Sequence, residues 1–161
     1  MQSLIEGTII LIDKPLHWSS FQAVNKLKWA IMKKYRLKKF KIGHAGTLDP
    51  LATGLLILCT GKHTKQIPQI QDAPKIYTGT IALGATTASY DLETEIDATF
   101  PTEHITPELI EQVREQFVGD LIQAPPLFSA IKKDGKRLYE LARKGETTEV
   151  PKRAITIHAL E

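Results

Sequence analysis

Gly43-His44-Ala45-Gly46-Thr47-Leu48-Asp49-Pro50-Leu51-Ala52-Thr53-Gly54 surrounds one carboxylate, Asp49, with three glycines, a proline and two threonines. Glycine gives the backbone access to positive φ and to close approach by a ligand. Pro50 steers Asp49 away from helical ψ and toward an extended conformation. The stretch therefore reads as a stiff loop that holds an acid out of a bend. The same residues also fit a helix start, with Asp49 as N-cap and Pro50 in the first helical position. Twelve residues by themselves favour capping slightly over catalysis, and the flanks have to be read.

Upstream lies a basic segment. Between Lys14 and Leu48 there are nine lysines and arginines and no Asp or Glu, which leaves twelve basic and eighteen acidic residues for the rest of the chain. The net charge of +3 thus conceals a +9 segment in a chain that is otherwise −6. Such concentration is what a nucleic-acid binder presents, and a solvated lysine-rich helix accounts for it equally well. Within the segment, Ser19 or Ser20 can cap a helix whose apolar face is Phe21, Val24, Leu27 and Ile31. Before it, Thr8 to Ile12 is an apolar β-branched run, read as a buried strand ending at Asp13-Lys14-Pro15. After the loop, Leu55 to Cys59 reads as a second buried strand closed by Gly61.

Farther on, Ile76 to Leu83 alternates in part and suggests a third strand, whose composition favours ordinary sheet packing over a functional role for Tyr77. Ala85 to Asp97 is threonine-rich and acidic, a loop with at most one short strand. Thr106-Pro107-Glu108 starts a helix whose core face is Leu109, Ile110, Val113 and Phe117. Ala124-Pro125-Pro126 breaks the chain, Phe128 to Lys132 is extended, Asp134-Gly135 marks a tight turn, and Leu138, Leu141 and Ala142 fit a short helix ending at Gly145. Arg153 to Leu160 is a final strand. Strands interspersed with helices, without strict βαβ alternation, predict an α+β or mixed α/β fold and not a doubly wound sheet.

Composition narrows the chemistry. At 161 residues, 42% hydrophobic and 24% charged, the chain is an ordinary globular protein of one domain or slightly more. Cys59 is the only cysteine, so no intrachain disulfide forms, which fits a reducing cytoplasm. No apolar run approaches membrane-spanning length. His17, His44, His63, His104 and His158 are scattered without metal-ligand spacing. Gly54 to Gly61-Lys62 has the wrong spacing for a phosphate loop, with His63 where a hydroxyl belongs. Cys59 is expected inside a strand, and no GxSxG occurs. What remains is one displayed carboxylate beside a basic, aromatic-bearing surface.

These residues resemble the TruB-type tRNA pseudouridine-55 synthases. The twelve residues Gly43–Gly54 match that family's catalytic motif residue for residue. Asp13-Lys14-Pro15 with Ser19-Ser20 resembles its first motif, with His17 where the family usually has Gly. Gly61-Lys62 with Thr64-Lys65, and Lys75-Ile76-Tyr77, fit the segments that follow. Leu83-Gly84 to Asp91 resembles the next block, with Glu93-Thr94 in place of its usual glycine. Ser129-Ala130-Ile131-Lys132, Gly135, Arg137, Tyr139, Ala142-Arg143 and Gly145 resemble an insertion, residues 124–152, that contacts RNA.

The resemblance implies a pseudouridine synthase-like mixed β-sheet with flanking helices, and isomerisation of uridine 55 in the T-arm of tRNA. It implies Asp49 as the catalytic carboxylate on a flipped-out nucleotide. Tyr77, His44, Lys14, Gly46, Thr47 and Asp91 are then expected around the substrate, and Lys132, Lys133, Lys136 and Arg137 on the RNA backbone. It implies no cofactor, no metal, no membrane and no obligatory protein partner, in the cytoplasm. A second reading keeps the loop and the basic face in a tRNA-binding module without chemistry. Family members also continue into a Gly-Thr-Tyr-Ile-Arg strand, whose arginine pairs with the aspartate, and a C-terminal RNA-binding domain. Neither occurs before Glu161. The expectation is therefore a catalytic-domain portion truncated on its C-terminal side, weakly active or inactive alone and prone to self-association through an open sheet edge.

Overall fold

The computed structural model describes residues 2–126, 129, 132–133, 136–138, 141 and 150–161. The chain divides into two compact units, Met1–Thr78 and Gly79–Glu161.

The first unit is built on a three-stranded antiparallel sheet of order β1-β3-β2, with β1 at Ile9–Lys14, β2 at Ile42–His44 and β3 at Gly54–Thr60. β1 pairs with β3 from Ile9 opposite Cys59 to Lys14 opposite Gly54, and β2 pairs with β3 from Ile42 opposite Thr60 to His44 opposite Leu58. Side chains alternate across a strand, so Ile10, Ile12, Leu56 and Leu58 share one face. Against that face packs α2, Ser20–Tyr35, through Ala23 and Val24, with Leu27 alongside. The other face is open at one end, where Leu11 and Leu55 are 65% and 61% exposed.

α2 starts where two mutual hydrogen bonds satisfy its first donors. The Gln22 N–H donates to Ser19 Oγ at 3.2 Å and the Ser19 N–H to Gln22 Oε1 at 2.7 Å, a capping box. It stops at Arg36 in the left-handed region, φ 52°, with Lys33 and Lys34 in the last turn favouring the negative end of the helix dipole. Of the expected apolar face, Val24 and Ile31 are buried and Leu27 partly so, but Phe21 is 67% exposed. Ala23 takes its place against the sheet, because the small side chain allows the close approach. A short helix α1, Gln2–Glu6, precedes β1; a 3-10 helix, Gly61–Gln66, and α3, Ile67–Asp72, follow β3. β2, the 3-10 helix and α3 were not anticipated from the sequence.

The expected third strand does not form. Residues 76–83 pair with no described strand, and Ile76 and Ile81 are 96% and 84% exposed. Alternation supplies one face for burial, but a strand needs a neighbour to accept its backbone hydrogen bonds.

The second unit carries β4, Ala85–Thr87, paired with β5, Ile96–Thr99, across a register shift. The reading of this region as mostly loop missed β5. α4, Pro107–Glu115, begins at Thr106, whose Oγ1 accepts the Leu109 N–H, as the Thr-Pro-Glu signal requires. Its expected core positions Leu109, Ile110, Val113 and the following Phe117 are between 36% and 51% exposed. β6, Gly119–Gln123, pairs with β9, Arg153–Ile157, and β7, Lys132–Lys133, with β8, Lys136–Arg137. The Asp134-Gly135 turn and most of the expected helix around Leu138, Leu141 and Ala142 lie outside the described residues. All pairings among described strands are antiparallel, five ladders in four separate sheets. Helices with antiparallel ladders agree with the α+β class; a single mixed sheet is not what the described residues form.

Candidate active site

The stretch from Ala45 to Thr53 is the connection of the β2–β3 hairpin. The ladder runs one step past His44, with the Ala45 N–H donating to the Ile57 carbonyl at 2.8 Å. Gly46 then takes φ 107° and Gly54 φ 108°, with open space where a Cβ would stand. Both are glycines for the sake of backbone angle, not room. No helix follows Asp49. The Ala52 N–H donates to the Asp49 carbonyl at 3.0 Å, closing a four-residue turn with Pro50 in its second position. The capping alternative for Asp49 is therefore overturned: proline serves the turn.

Asp49 sits between two tethered neighbours. On one side Ser20 Oγ, buried at the start of α2, accepts the Leu48 N–H at 2.9 Å and donates to the Leu48 carbonyl at 3.0 Å. On the other, the His17 N–H donates to the Pro50 carbonyl at 2.7 Å. The backbone of the acid is thus fixed from both sides by the β1–α2 connection while the residue itself is exposed. His17 makes that bond in the left-handed region, φ 64°, where non-glycine residues pay about 1–2 kcal/mol.

Lys14 ends β1 on the buried face of the sheet and has no exposed surface. Its Nζ donates to the carbonyls of Pro15 at 3.0 Å and Trp18 at 2.6 Å. Burial pushes its pKa below the usual lysine value, and the Asp49 charge pulls it partly back up. That electrostatic link joins two residues 35 positions apart in sequence at one end of the sheet. His44 Nδ1 lies 2.5 Å from the Gly46 carbonyl. A carbonyl can only accept, so Nδ1 carries the proton, and in the neutral ring Nε2 is the acceptor.

The fold thus brings Asp49, Lys14, His44, Gly46 and Thr47 to one end of the three-stranded sheet. Tyr77 lies on an unpaired segment of the same unit, 72% exposed, and no described contact joins it to the loop. Asp91 belongs to the second unit, where its Oδ1 accepts the Glu93 N–H at 2.8 Å and its carbonyl accepts from Thr87 Oγ1 at 2.7 Å. In that unit the backbone of Lys132 pairs with Arg137 and that of Lys133 with Lys136. Ser20 is the residue whose role the sequence reading missed. The available signal was a pair of serines at a helix start, where only one can be the cap. Among the described residues no group of three His, Cys, Asp or Glu is placed to hold a metal, and no helix is long and apolar enough to cross a membrane.

Residues 33–161 match the family described as TruB family pseudouridylate synthase (N terminal domain). A protein of Flavobacterium johnsoniae named tRNA pseudouridine synthase B is 64% identical over 161 residues, covering 99% of this chain and 70% of its own length. Proteins of the same name from Phocaeicola vulgatus and Parabacteroides distasonis are 56% and 55% identical, with 97% and 98% of this chain and 66% and 67% of their own lengths covered. The chain spans about two thirds of the length of these relatives. The family match over residues 33–161, which include Asp49, and the identities over nearly the whole chain lead to one conclusion: the chain belongs to the TruB family of pseudouridylate synthases.

Proposed function

We propose that this chain carries the catalytic aspartate of a tRNA pseudouridine synthase that isomerises uridine 55 in the T-arm. The observation that carries the reading is the presentation of Asp49: backbone pinned at Leu48 and Pro50, side chain on an exposed turn, cation of Lys14 buried beside it. The reaction breaks the N1–C1′ bond and joins C5 to C1′. C5 gives up its proton and N1 gains one, so no electrons enter or leave. A carboxylate suits either task the detached base requires, as nucleophile or as base. A rigid loop costs little reorganisation when the acid meets the reacting atoms.

In this proposal the target nucleotide is everted from the arm before reaction. Tyr77 stacks on the flipped base, His44 helps hold the everted conformation, and Gly46 and Thr47 line its approach. Asp91 contacts the substrate as well. The Lys132, Lys133, Lys136 and Arg137 ladder and the basic segment beyond Lys14 meet phosphates, whereas Lys14, buried and bonded to the Pro15 and Trp18 carbonyls, is not available to them. The protein acts in the cytoplasm with tRNA as its partner.

Asp49→Asn tests the reading directly. Tritium release from C5 of labelled uridine in an unmodified tRNA transcript should vanish in the variant, assayed in the full-length enzyme, while tRNA affinity stays within a few-fold. Product formation by the variant at the parental rate would sink the assignment. Absence of product from the parent and variant alike would favour the binding module without chemistry.

A further inference from the structure

We propose that the exposed face of α2 is a second RNA-binding surface, one that takes unpaired bases; it rests on the reading of an RNA-acting protein but not on Asp49 chemistry. A groove of about 380 Å³ is lined by Trp18, Phe21, Gln22, Asn25, Lys26 and Trp29. A second, of about 250 Å³, shares Trp18 and Lys26 with it and continues over Pro15, Leu27 and Ala30. Neither includes Asp49. Phe21 and Trp29 are each 67% exposed, which is costly for aromatic rings without an occupant. They stand eight residues apart on one helix, about 12 Å along its axis.

The chemistry of the rim selects the occupant. Lys26 lines both grooves, and the rest of α2 adds Lys28, Lys33 and Lys34 and no acidic residue. An apolar protein surface has no use for that charge, whereas a single-stranded nucleic acid needs both parts: aromatic faces for its bases and cations for its phosphates. Gln22 and Asn25 between the rings add carboxamides, which pair with base edges that a duplex conceals. Gln22 is also steadied by Ser19, whose N–H it accepts at 2.7 Å.

The test is fluorescence anisotropy of a labelled octauridylate and of a short RNA duplex, on the 161-residue chain and its Trp29→Ala and Phe21→Ala variants. Far-UV circular dichroism checks that each variant folds. The octauridylate is expected to bind, and each variant to weaken it about 5- to 100-fold, the range for losing one base–aromatic stack. Duplex affinity should change little. Lys26→Gln should lower the salt slope of octauridylate binding by about one. Unchanged octauridylate affinity in both folded aromatic variants overturns the proposal. So does a concentration-dependent dimer that Trp29→Ala abolishes without affecting RNA, which would assign the groove to a second copy. Asp49→Asn should bind octauridylate as the parent does, so loss of product in that variant and loss of binding in Trp29→Ala report on separate claims.

Discussion

Lys14 shows how a single residue ties folding to the site. Its ammonium is stripped of water yet kept near a carboxylate, and burial outweighs the attraction, so its pKa lies below the ordinary 10.5. The unfolded chain therefore binds this proton more tightly than the folded one. The resulting penalty is fully present below the folded pKa and is relieved as pH rises from there toward 10.5. The contribution of Lys14 to stability thus rises with pH in the alkaline range. Removing the Asp49 charge takes away an influence that raises this pKa. Asp49→Asn should accordingly titrate Lys14 at lower pH, read from the Lys14 side-chain resonances by NMR; an unmoved titration would show that the two groups are not coupled. The bend around Asp49 was legible in the sequence, because glycines and a proline flank the acid. The burial of Lys14 was not. A lysine at a strand end reads as solvated until the pairing of β1 with β3 shows which face it takes.

At the scale of elements, the β1–α2 connection and the β2–β3 hairpin are held together by a few short hydrogen bonds. Ser20 contributes two, both to Leu48, from a buried position. Ser20→Ala leaves both polar groups of Leu48 without these partners, at a cost of about 1–3 kcal/mol. Faster hydrogen exchange at the Leu48 amide and a lower kcat in the full-length enzyme, with KM changed less, are the expected readouts; unchanged exchange would mean the loop is held by other means. The capping serine, α2, β1 and β3 were readable because each has a local signal: hydroxyl, helical spacing, apolar run. The clamp joins residues 28 positions apart and has none. The strand expected at Ile76 to Leu83 failed for the converse reason. Its local pattern was present, but no described strand pairs with it.

Across the molecule, charge and apolar surface are both unevenly spread. The sheet of the first unit has β1 and β2 as outer strands and an open apolar patch around Leu11 and Leu55. Exposed strand edges beside such a patch invite pairing with another chain. The 161-residue chain on its own is expected to self-associate, with sedimentation coefficients that rise with concentration. Leu11→Thr combined with Leu55→Thr should suppress that rise; an equal rise in the double variant would place the contact elsewhere. Family membership was legible in the order of motifs. The division into two units was not, because no proline- or glycine-rich linker marks the boundary at Thr78.

The register that sets Lys14 opposite Gly54 also sets Ile10 and Ile12 toward α2. Sliding β1 by one position would turn each of its side chains to the reverse surface. The ammonium would swing out to bulk water just as Leu11 swung in to replace the isoleucines. A slipped β1 therefore cannot keep a sound interior while displacing only the lysine, or the reverse. Deleting or inserting one residue between Thr8 and Asp13 strikes the interior and the placement of Lys14 together.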